Sequence, residues 1–181
     1  MEDIVYKIDE NNRITFVNEA WDVFARENNG DEIVSKRIIG RNLFDFISDI
    51  TVKQIYLDLM EQARNNKKIK IDFRCDSPTY KRYLTMSIQC NEPNTITFIT
   101  HLIRKEPQNY KSILDSKVLR VRKVIRMCSW CKKVEFDSQW LELDEVINKA
   151  KIFDSEKAPM ITHTICDNCL KSLVKEQQSF R

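Results

Sequence analysis

The stretches Met127-Cys-Ser-Trp-Cys-Lys-Lys133 and Thr162-His-Thr-Ile-Cys-Asp-Asn-Cys169 contain two identical C-x-x-C pairs. A spacer of two residues lets both sulfurs of a pair face one ion, and two such pairs complete a tetrahedral thiolate site. The sequence therefore predicts a bound metal ion that organises the distal third of the chain. Its predicted ligands are Cys128, Cys131, Cys166 and Cys169.

Zinc is the ion that this pattern favours. Structural zinc sites commonly combine four thiolates, short spacers and a helix that carries the second pair, whereas iron remains an alternative because thiolates also hold iron–sulfur clusters. Disulfides are not expected, because the start of the chain has neither the basic residues nor the apolar run of a secretory signal. The same observation predicts a cytoplasmic location, where thiols stay reduced.

His163 is a further donor close to the second cysteine pair, three residues before Cys166. Four cysteines already fill a tetrahedron, so we expect His163 to hydrogen-bond a sulfur from outside the direct ligands, with replacement of one cysteine as the alternative. A closed four-cysteine site has no position left for water or substrate. It therefore predicts a structural zinc that supplies folding energy to residues 127–181.

The first cysteine pair is predicted to lie in a tight turn, and a hairpin is predicted between the two pairs. The second pair is predicted to lie at the start of a short helix. The apolar pattern of Leu170-Lys-Ser-Leu-Val-Lys175 supports that short helix. This order resembles that of a treble-clef zinc module. The likeness implies a small zinc-binding domain at the end of the chain.

Strand and helix patterns alternate along the first part of the chain. Apolar alternation predicts two strands over residues 4–8 and 14–17, joined by the turn-forming segment 9–12. Asn18 is the expected cap of a short helix. The clearest helix presents one apolar face, formed by Val52, Ile55, Tyr56, Leu59, Met60 and Ala63.

Beyond residue 68 the apolar period becomes two, as in half-buried antiparallel strands. Strands are predicted over residues 69–75 and 84–90, and a third begins at Ile96. Arg74 and Asp76 lie near the end of the first of these strands. A charge pair between them is expected to be a weak surface interaction.

Three segments of the first part resemble those of PAS domains. Phe16-Val-Asn-Glu-Ala-Trp21 is similar to the strand-to-helix entry of that family, Ile39-Gly-Arg-Asn-Leu-Phe-Asp-Phe-Ile47 resembles its central segment, and residues 83–90 match its long fourth strand. The resemblance covers residues 1–104. It implies an α+β fold, in which a PAS-like five-stranded antiparallel sheet with flanking helices precedes the treble-clef-like zinc module.

The resemblance also implies a sensory domain that encloses a pocket for a small, unidentified ligand. Four residues that helical spacing places in the core are the expected pocket walls: Trp21, Phe24, Tyr56 and Met60. A homodimer is a further expectation that follows from the resemblance alone. The cysteine-rich tail resembles one that follows PAS domains in bacterial sensor proteins.

Residues 105–126 are predicted to form a basic amphipathic helical connector between the two domains. Leu114, Val118, Val121 and Ile125 keep helical spacing, and basic residues interleave them at positions 117, 120, 122, 123 and 126. A solvated basic face is the simplest interpretation. A partner-binding or nucleic-acid surface is the alternative.

The composition and the motifs of the chain limit the functions that we expect for this protein. No run of about 18 apolar residues is present, so a membrane span is not expected. The chain lacks the phosphate-binding, hydrolase and metalloprotease motifs, which predicts a protein without catalytic activity. The expected function is a cytosolic sensor or adaptor that binds a protein partner of a signalling pathway. Its alternatives are a thiol redox switch that uses the C-x-x-C pairs and a nucleic-acid-binding regulator, although a net charge of +3 makes a nucleic-acid partner unexpected.

Overall fold

The protein is described by a computed structural model, which covers residues 2–65, 67–92, 94–150 and 157–178. The chain divides into two compact units. The first combines Met1–Asp72 with Tyr83–Arg104, and the second combines Phe73–Arg82 with Lys105–Arg181. The sequence placed the division near residue 104 and did not reveal that residues 73–82 fold with the distal unit. No helix in the described ranges is long and apolar enough to cross a membrane.

The first unit is organised by a five-stranded antiparallel sheet. Its strands are β1 (Ile4–Ile8), β2 (Ile14–Val17), β3 (Ile69–Arg74), β4 (Tyr80–Glu92) and β5 (Thr95–Pro107), and its helices are α1 (Glu19–Glu27), α2 (Ser35–Ile38) and α3 (Ile50–Arg64). The strand order is β2-β1-β5-β4-β3. The predicted α+β order, with two strands, helices and three further strands, is confirmed.

Side-chain caps start the two main helices of this unit, because the first backbone N–H groups of a helix lack partners within it. The amide oxygen of Asn18 accepts hydrogen bonds from Trp21 N–H at 3.1 Å and from Val5 N–H at 3.0 Å, which joins α1 to β1. Asp49 caps α3 by accepting a hydrogen bond from Val52 N–H at 2.9 Å. The apolar face predicted for α3 is buried at Val52, Ile55, Leu59, Met60 and Ala63.

The second unit contains a four-stranded mixed sheet. Its strands are β6 (Arg120–Cys128), β7 (Val134–Phe136), β8 (Gln139–Leu141) and β9 (Ala158–Thr164), and its helices are α4 (Leu143–Ala150) and α5 (Asp167–Gln178). The strand order is β8-β7-β6-β9, with β6 and β9 parallel. A buried apolar cluster forms the core: Ile113, Ile125, Met127, Val134, Leu143, Val146 and Ala158. This unit therefore has more structure than the hairpin expected between the cysteine pairs.

The predicted helical connector over residues 105–126 is wrong. Residues up to Pro107 complete β5, residues 112–114 form a 3-10 turn, and β6 begins at Arg120. The segment is rich in β-branched residues, which fit a pleated sheet well, and β9 supplies the hydrogen-bonded neighbour that stabilises a strand. The helical spacing was misleading because that neighbour lies much later in the chain.

Candidate metal centre

Four cysteine side chains come together where β6 ends and α5 begins. Cys128 is the last residue of β6 and Cys131 closes the following turn, whereas Cys166 immediately precedes α5 and Cys169 lies in its first turn. Parallel pairing of β6 with β9 joins these segments, since Cys128 lies opposite Thr164. The structure thus brings together all four cysteines that the sequence singled out.

The positions of the sulfurs fit a tetrahedral ion. All four Sγ atoms lie within 4.8 Å of one another, and those of Cys131 and Cys166 are 3.8 Å apart. Zinc–sulfur bonds of about 2.3 Å place the sulfurs of a regular tetrahedron roughly 3.8 Å apart. A disulfide requires a sulfur separation of about 2.05 Å, and the cysteines are free thiols. Donor type and spacing therefore fit a structural zinc ion.

The first cysteine pair lies in a tight turn that backbone hydrogen bonds hold in place. Cys128 N–H donates to the Lys133 carbonyl at 2.8 Å, and Lys132 N–H donates to the Cys128 carbonyl at 3.1 Å. Ser129 N–H donates to the Thr164 carbonyl at 2.7 Å, which ties the turn to β9. Lys132 has a φ of 61°, in the left-handed region that side-chain-bearing residues rarely adopt.

Replacing Lys132 with valine is expected to weaken metal binding, because a β-branched residue is strongly disfavoured at positive φ. The left-handed conformation costs a residue with a Cβ about 1–2 kcal/mol relative to glycine, so chelator competition should report a zinc affinity roughly 5- to 30-fold lower for Lys132→Val than for Lys132→Gly. Lys132→Gly is the matched control. It also loses the hydrogen bond from Lys132 Nζ to the Ser129 carbonyl, but glycine adopts this φ readily. Equal zinc affinities for the two variants would contradict the strain argument.

Hydrogen bonds among the sulfurs separate the pKa values of the cysteines. Bonding from Cys131 and Cys169 holds the pKa of Cys128 well below its ordinary value. The same bonding to Cys128 raises the pKa of Cys131 to about 12 and also raises the pKa of Cys169. The backbone N–H of Cys166 donates to Cys128 Sγ at 3.4 Å. A cation that binds here must displace protons from the neighbouring thiols, so its affinity is expected to rise with pH.

His163 stands apart from the sulfur cluster. It lies on β9 opposite Met127, and its side chain is exposed. Among the described residues, the group of side chains close enough to share a metal ion contains the four cysteines without His163. The geometry therefore supports the four cysteines as metal ligands and does not include the imidazole of His163 among them.

A buried ion cluster at the tip of the β3–β4 hairpin braces the first cysteine turn. Arg74 N–H donates at 2.6 Å to the carbonyl of Trp130, which lies between the two cysteines of the first pair. The Arg74 guanidinium pairs with Asp76 at 2.5 Å and with Glu142 at 2.8 Å. The side chains of Arg74 and Asp76 are 11% and 4% exposed, so the weak surface pair predicted for them is wrong.

The electrostatic environment keeps Arg74 charged. Burial alone would lower the pKa of Arg74, but its hydrogen bonds to Asp76 and Glu142 outweigh burial and raise that pKa. Sequence reasoning missed the cluster because Glu142 is 68 residues away from Arg74. The available signal was the pair of opposite charges around Cys75, and that pattern alone does not distinguish a buried pair from an exposed one.

Further charges line an open cleft of about 600 Å³ in the second unit. Lys111 and Lys81 both approach the carboxylate of Asp144 in the first turn of α4, the Lys81 ammonium at 3.2 Å. Hydrogen bonding by Lys111 is the main reason that the pKa of Asp144 lies below its ordinary value. Residues 106–109, including Glu106, complete the lining. Two basic and two acidic groups thus face the cleft, so its formal charge is balanced.

Aromatic side chains fill the interior of the first unit. Tyr6 stacks on Phe98 with ring centroids 4.4 Å apart, and Trp21 meets Tyr6 edge-on at 5.4 Å. Tyr56 lies 6.3 Å from Phe98, and Met60 is fully buried. Burial raises the pKa of Tyr6, and it raises the pKa of Tyr56 to about 12, so both phenols stay neutral at physiological pH.

The sequence did not identify Tyr6 and Phe98 as members of this cluster. The two residues lie in adjacent strands and face each other in the register of β1 with β5, a pairing that the local alternation did not reveal. Phe24 is half-buried, and the indole N–H of Trp21 donates to the Ile33 carbonyl at 2.6 Å. The ligand-pocket role of Trp21, Phe24, Tyr56 and Met60 stays a prediction.

No protein-family model matches the chain, and no curated protein matches it. Among solved structures, the photoactive yellow protein domain of the sensor histidine kinase Ppr from Rhodospirillum centenum is 16% identical, with a TM-score of 0.40 over 56% of this chain and 92% of that chain. The RpfR quorum-sensing receptor PAS domain of Cronobacter turicensis in complex with C12:0 is 10% identical, with a TM-score of 0.42 over 57% of this chain and 96% of that chain. A sensory box sensor histidine kinase from Vibrio cholerae is 10% identical, with a TM-score of 0.39 over 57% of this chain and 82% of that chain. Likenesses at these scores carry no argument about function.

Proposed function

We propose that this chain is a non-catalytic signalling protein. Its first unit, a PAS-type domain, senses a small ligand or a partner, and its second unit presents an interaction surface that a structural zinc ion supports. The observation that carries the proposal is the position of residues 73–82. They comprise the end of β3, the connecting turn and the start of β4, and they belong to the metal-binding unit, where Arg74 N–H donates to the Trp130 carbonyl of the first cysteine turn.

The four cysteines are suited to a structural rather than a catalytic role. The zinc ligands would be Cys128, Cys131, Cys166 and Cys169. The bound ion would supply folding energy to a unit that has a small apolar core. Four thiolates complete the tetrahedron, so no coordination position is left for a substrate or a reactive water. Both cysteine pairs instead anchor secondary structure, at the end of β6 and the start of α5.

Arg74 gives the proposed signal a physical route. It is the last residue of β3, and it holds the Trp130 carbonyl, Asp76 and Glu142 at the same time. A displacement of Arg74 would therefore act on the first cysteine turn and on the start of α4. Buried, hydrogen-bonded charges favour one discrete arrangement over continuous deformation, which is the property that a two-state signalling element needs.

A thiol redox switch is the second candidate, and the proximity of the cysteines favours it. All four Sγ atoms lie within 4.8 Å of one another, and the side chains of Cys131 and Cys169 are half-exposed. Hydrogen peroxide could oxidise the thiols of one C-x-x-C pair to a disulfide while it is reduced to water. Such a reaction would expel the metal, and a reducing thiol would restore the site.

The deciding experiment compares metal content before and after oxidation. Purified full-length protein is first assayed by elemental analysis together with its ultraviolet and visible spectrum. It is then exposed to a modest excess of hydrogen peroxide, and released zinc is followed with a chelating dye. One zinc per chain that resists oxidation supports the structural role. Reversible zinc release supports the redox switch, whereas iron in place of zinc overturns the structural-zinc proposal.

A further inference from the structure

A β-bulge in β6 interrupts the regular alternation of the four-stranded sheet. Val121 pairs with Pro159 and Val124 pairs with Met160, so one step along β9 corresponds to three steps along β6. The extra residues are Arg122 and Lys123. Bulges bend a strand and redirect side chains, and here three consecutive residues of β6, from 122 to 124, are exposed.

The bulge lies beside an exposed apolar pair. Val124 and Met160 are direct neighbours across the two strands, and they are 55% and 49% exposed. The next residue of β6, Ile125, is buried in the core, so the outward position of Val124 follows from the strand itself. Two apolar side chains that face solvent on paired strands offer a small contact area for another molecule.

The charges of the bulge are available for a partner. Within the described ranges, the side chains of Arg122 and Lys123 have no hydrogen bond or ion pair. In contrast, the next basic residue on this face, Arg126, pairs with Glu135 of β7 at 2.7 Å. The patch formed by Arg122, Lys123, Val124 and Met160, which we call the bulge patch, therefore combines two unneutralised cations with an apolar centre.

We propose that the bulge patch binds an acidic segment of a partner protein, in which an aliphatic side chain lies between carboxylates. The aliphatic group covers Val124 and Met160, and the carboxylates pair with Arg122 and Lys123. An apolar centre with a charged rim is the usual anatomy of a protein interface. This inference identifies the partner-binding surface of the proposed function and rests on that proposal.

The composition of the strands favours a protein over a nucleic acid. Single-stranded nucleic acids are usually held by aromatic side chains that stack on bases, and neither β6 nor β9 contains a phenylalanine, tyrosine or tryptophan. Neutralisation of only two phosphates by Arg122 and Lys123 would also give weak binding, because the electrostatic contribution grows with the number of phosphates that are contacted. The exposed aliphatic pair has no role in a contact with phosphates.

The test measures fluorescence anisotropy of two labelled probes added to the zinc-loaded full chain. One probe is a peptide of glutamate pairs separated by leucines, and the other is a short DNA duplex. We expect the peptide to bind saturably at physiological salt, and the double variant R122E/K123E to weaken its binding at least tenfold. Val124→Ser is expected to weaken it severalfold. The matched control is K68E/K70E, which reverses two exposed charges in the first unit and should change peptide affinity less than twofold.

Three results would overturn the inference: no saturable peptide binding, an equal loss in the control, or tighter binding of the DNA that R122E/K123E abolishes. Zinc content of each variant is measured in the same samples. Failure of peptide binding in a protein that holds one oxidation-resistant zinc would reject the bulge patch and leave the structural-zinc proposal intact. Loss of zinc from the wild-type chain would count against the proposed function instead.

Discussion

Replacing Cys128 and Cys166 together with serine is expected to abolish zinc binding and unfold the second unit. The variant removes one ligand from each pair, and the remaining two thiols do not complete a tetrahedral site. Structural zinc contributes about 10–16 kcal/mol in zinc-finger peptides, whereas a whole domain is typically stable by only about 5–15 kcal/mol. Among the described residues, the central apolar cluster of the second unit contains seven buried side chains, which is a small cluster to replace that contribution.

Zinc content and limited trypsin digestion check this result. Wild-type protein should resist cleavage after Arg120 and Arg126, which are paired with residues of β9, and the variant should be cut there rapidly. Cys90→Ser is the control, because Cys90 belongs to the first unit and is remote from the sulfur cluster in the sequence. A double variant with wild-type trypsin resistance would show that the apolar core, and not the metal, stabilises the second unit.

Replacing Arg74 with methionine is expected to destabilise the second unit by about 3–5 kcal/mol, the usual cost of removing one partner from a buried ion pair. Methionine retains much of the side-chain volume, so the loss reports mainly on charge and hydrogen bonding. Asp76, which is 4% exposed, would keep a carboxylate without its cation. The urea concentration at which zinc is released, followed with a chelating dye, measures the effect within the second unit.

Two further variants define the cause. Arg26→Met is the matched control, because Arg26 is 61% exposed in the side chain and lies 3.9 Å from Asp22, a surface pair worth at most about 1 kcal/mol. Arg74→Lys keeps the charge but cannot bond both carboxylates with a planar fork, so its midpoint should lie between wild type and Arg74→Met. Similar urea midpoints for Arg74→Met and Arg26→Met would reject the bracing role of the buried cluster.

Sequence patterns predicted those structural elements that are determined by interactions between residues close together in the chain. The two C-x-x-C pairs identified all four sulfurs, because a two-residue spacer already restricts both side chains of a pair to one turn. The caps and apolar periods predicted β1, β2, α1 and α3, since a cap bonds backbone groups within three residues and one apolar face repeats within two turns. The order of strands and helices in the first unit followed from these elements.

Long-range pairing decided the features that the sequence reasoning missed. Residues 120–128 carry apolar spacing compatible with a helix, and their pairing with β9 makes them a strand. The sequence separation of Arg74 and Asp76 is short enough to predict an ion pair. The contacts of Arg74 with Glu142 and with the Trp130 carbonyl, which connect that pair to the first cysteine turn, are visible only in the fold. The bulge patch likewise depends on register with β9. Whether a charge is buried, and which neighbour completes a strand, depends on residues tens of positions away, so the folded chain was needed to establish both.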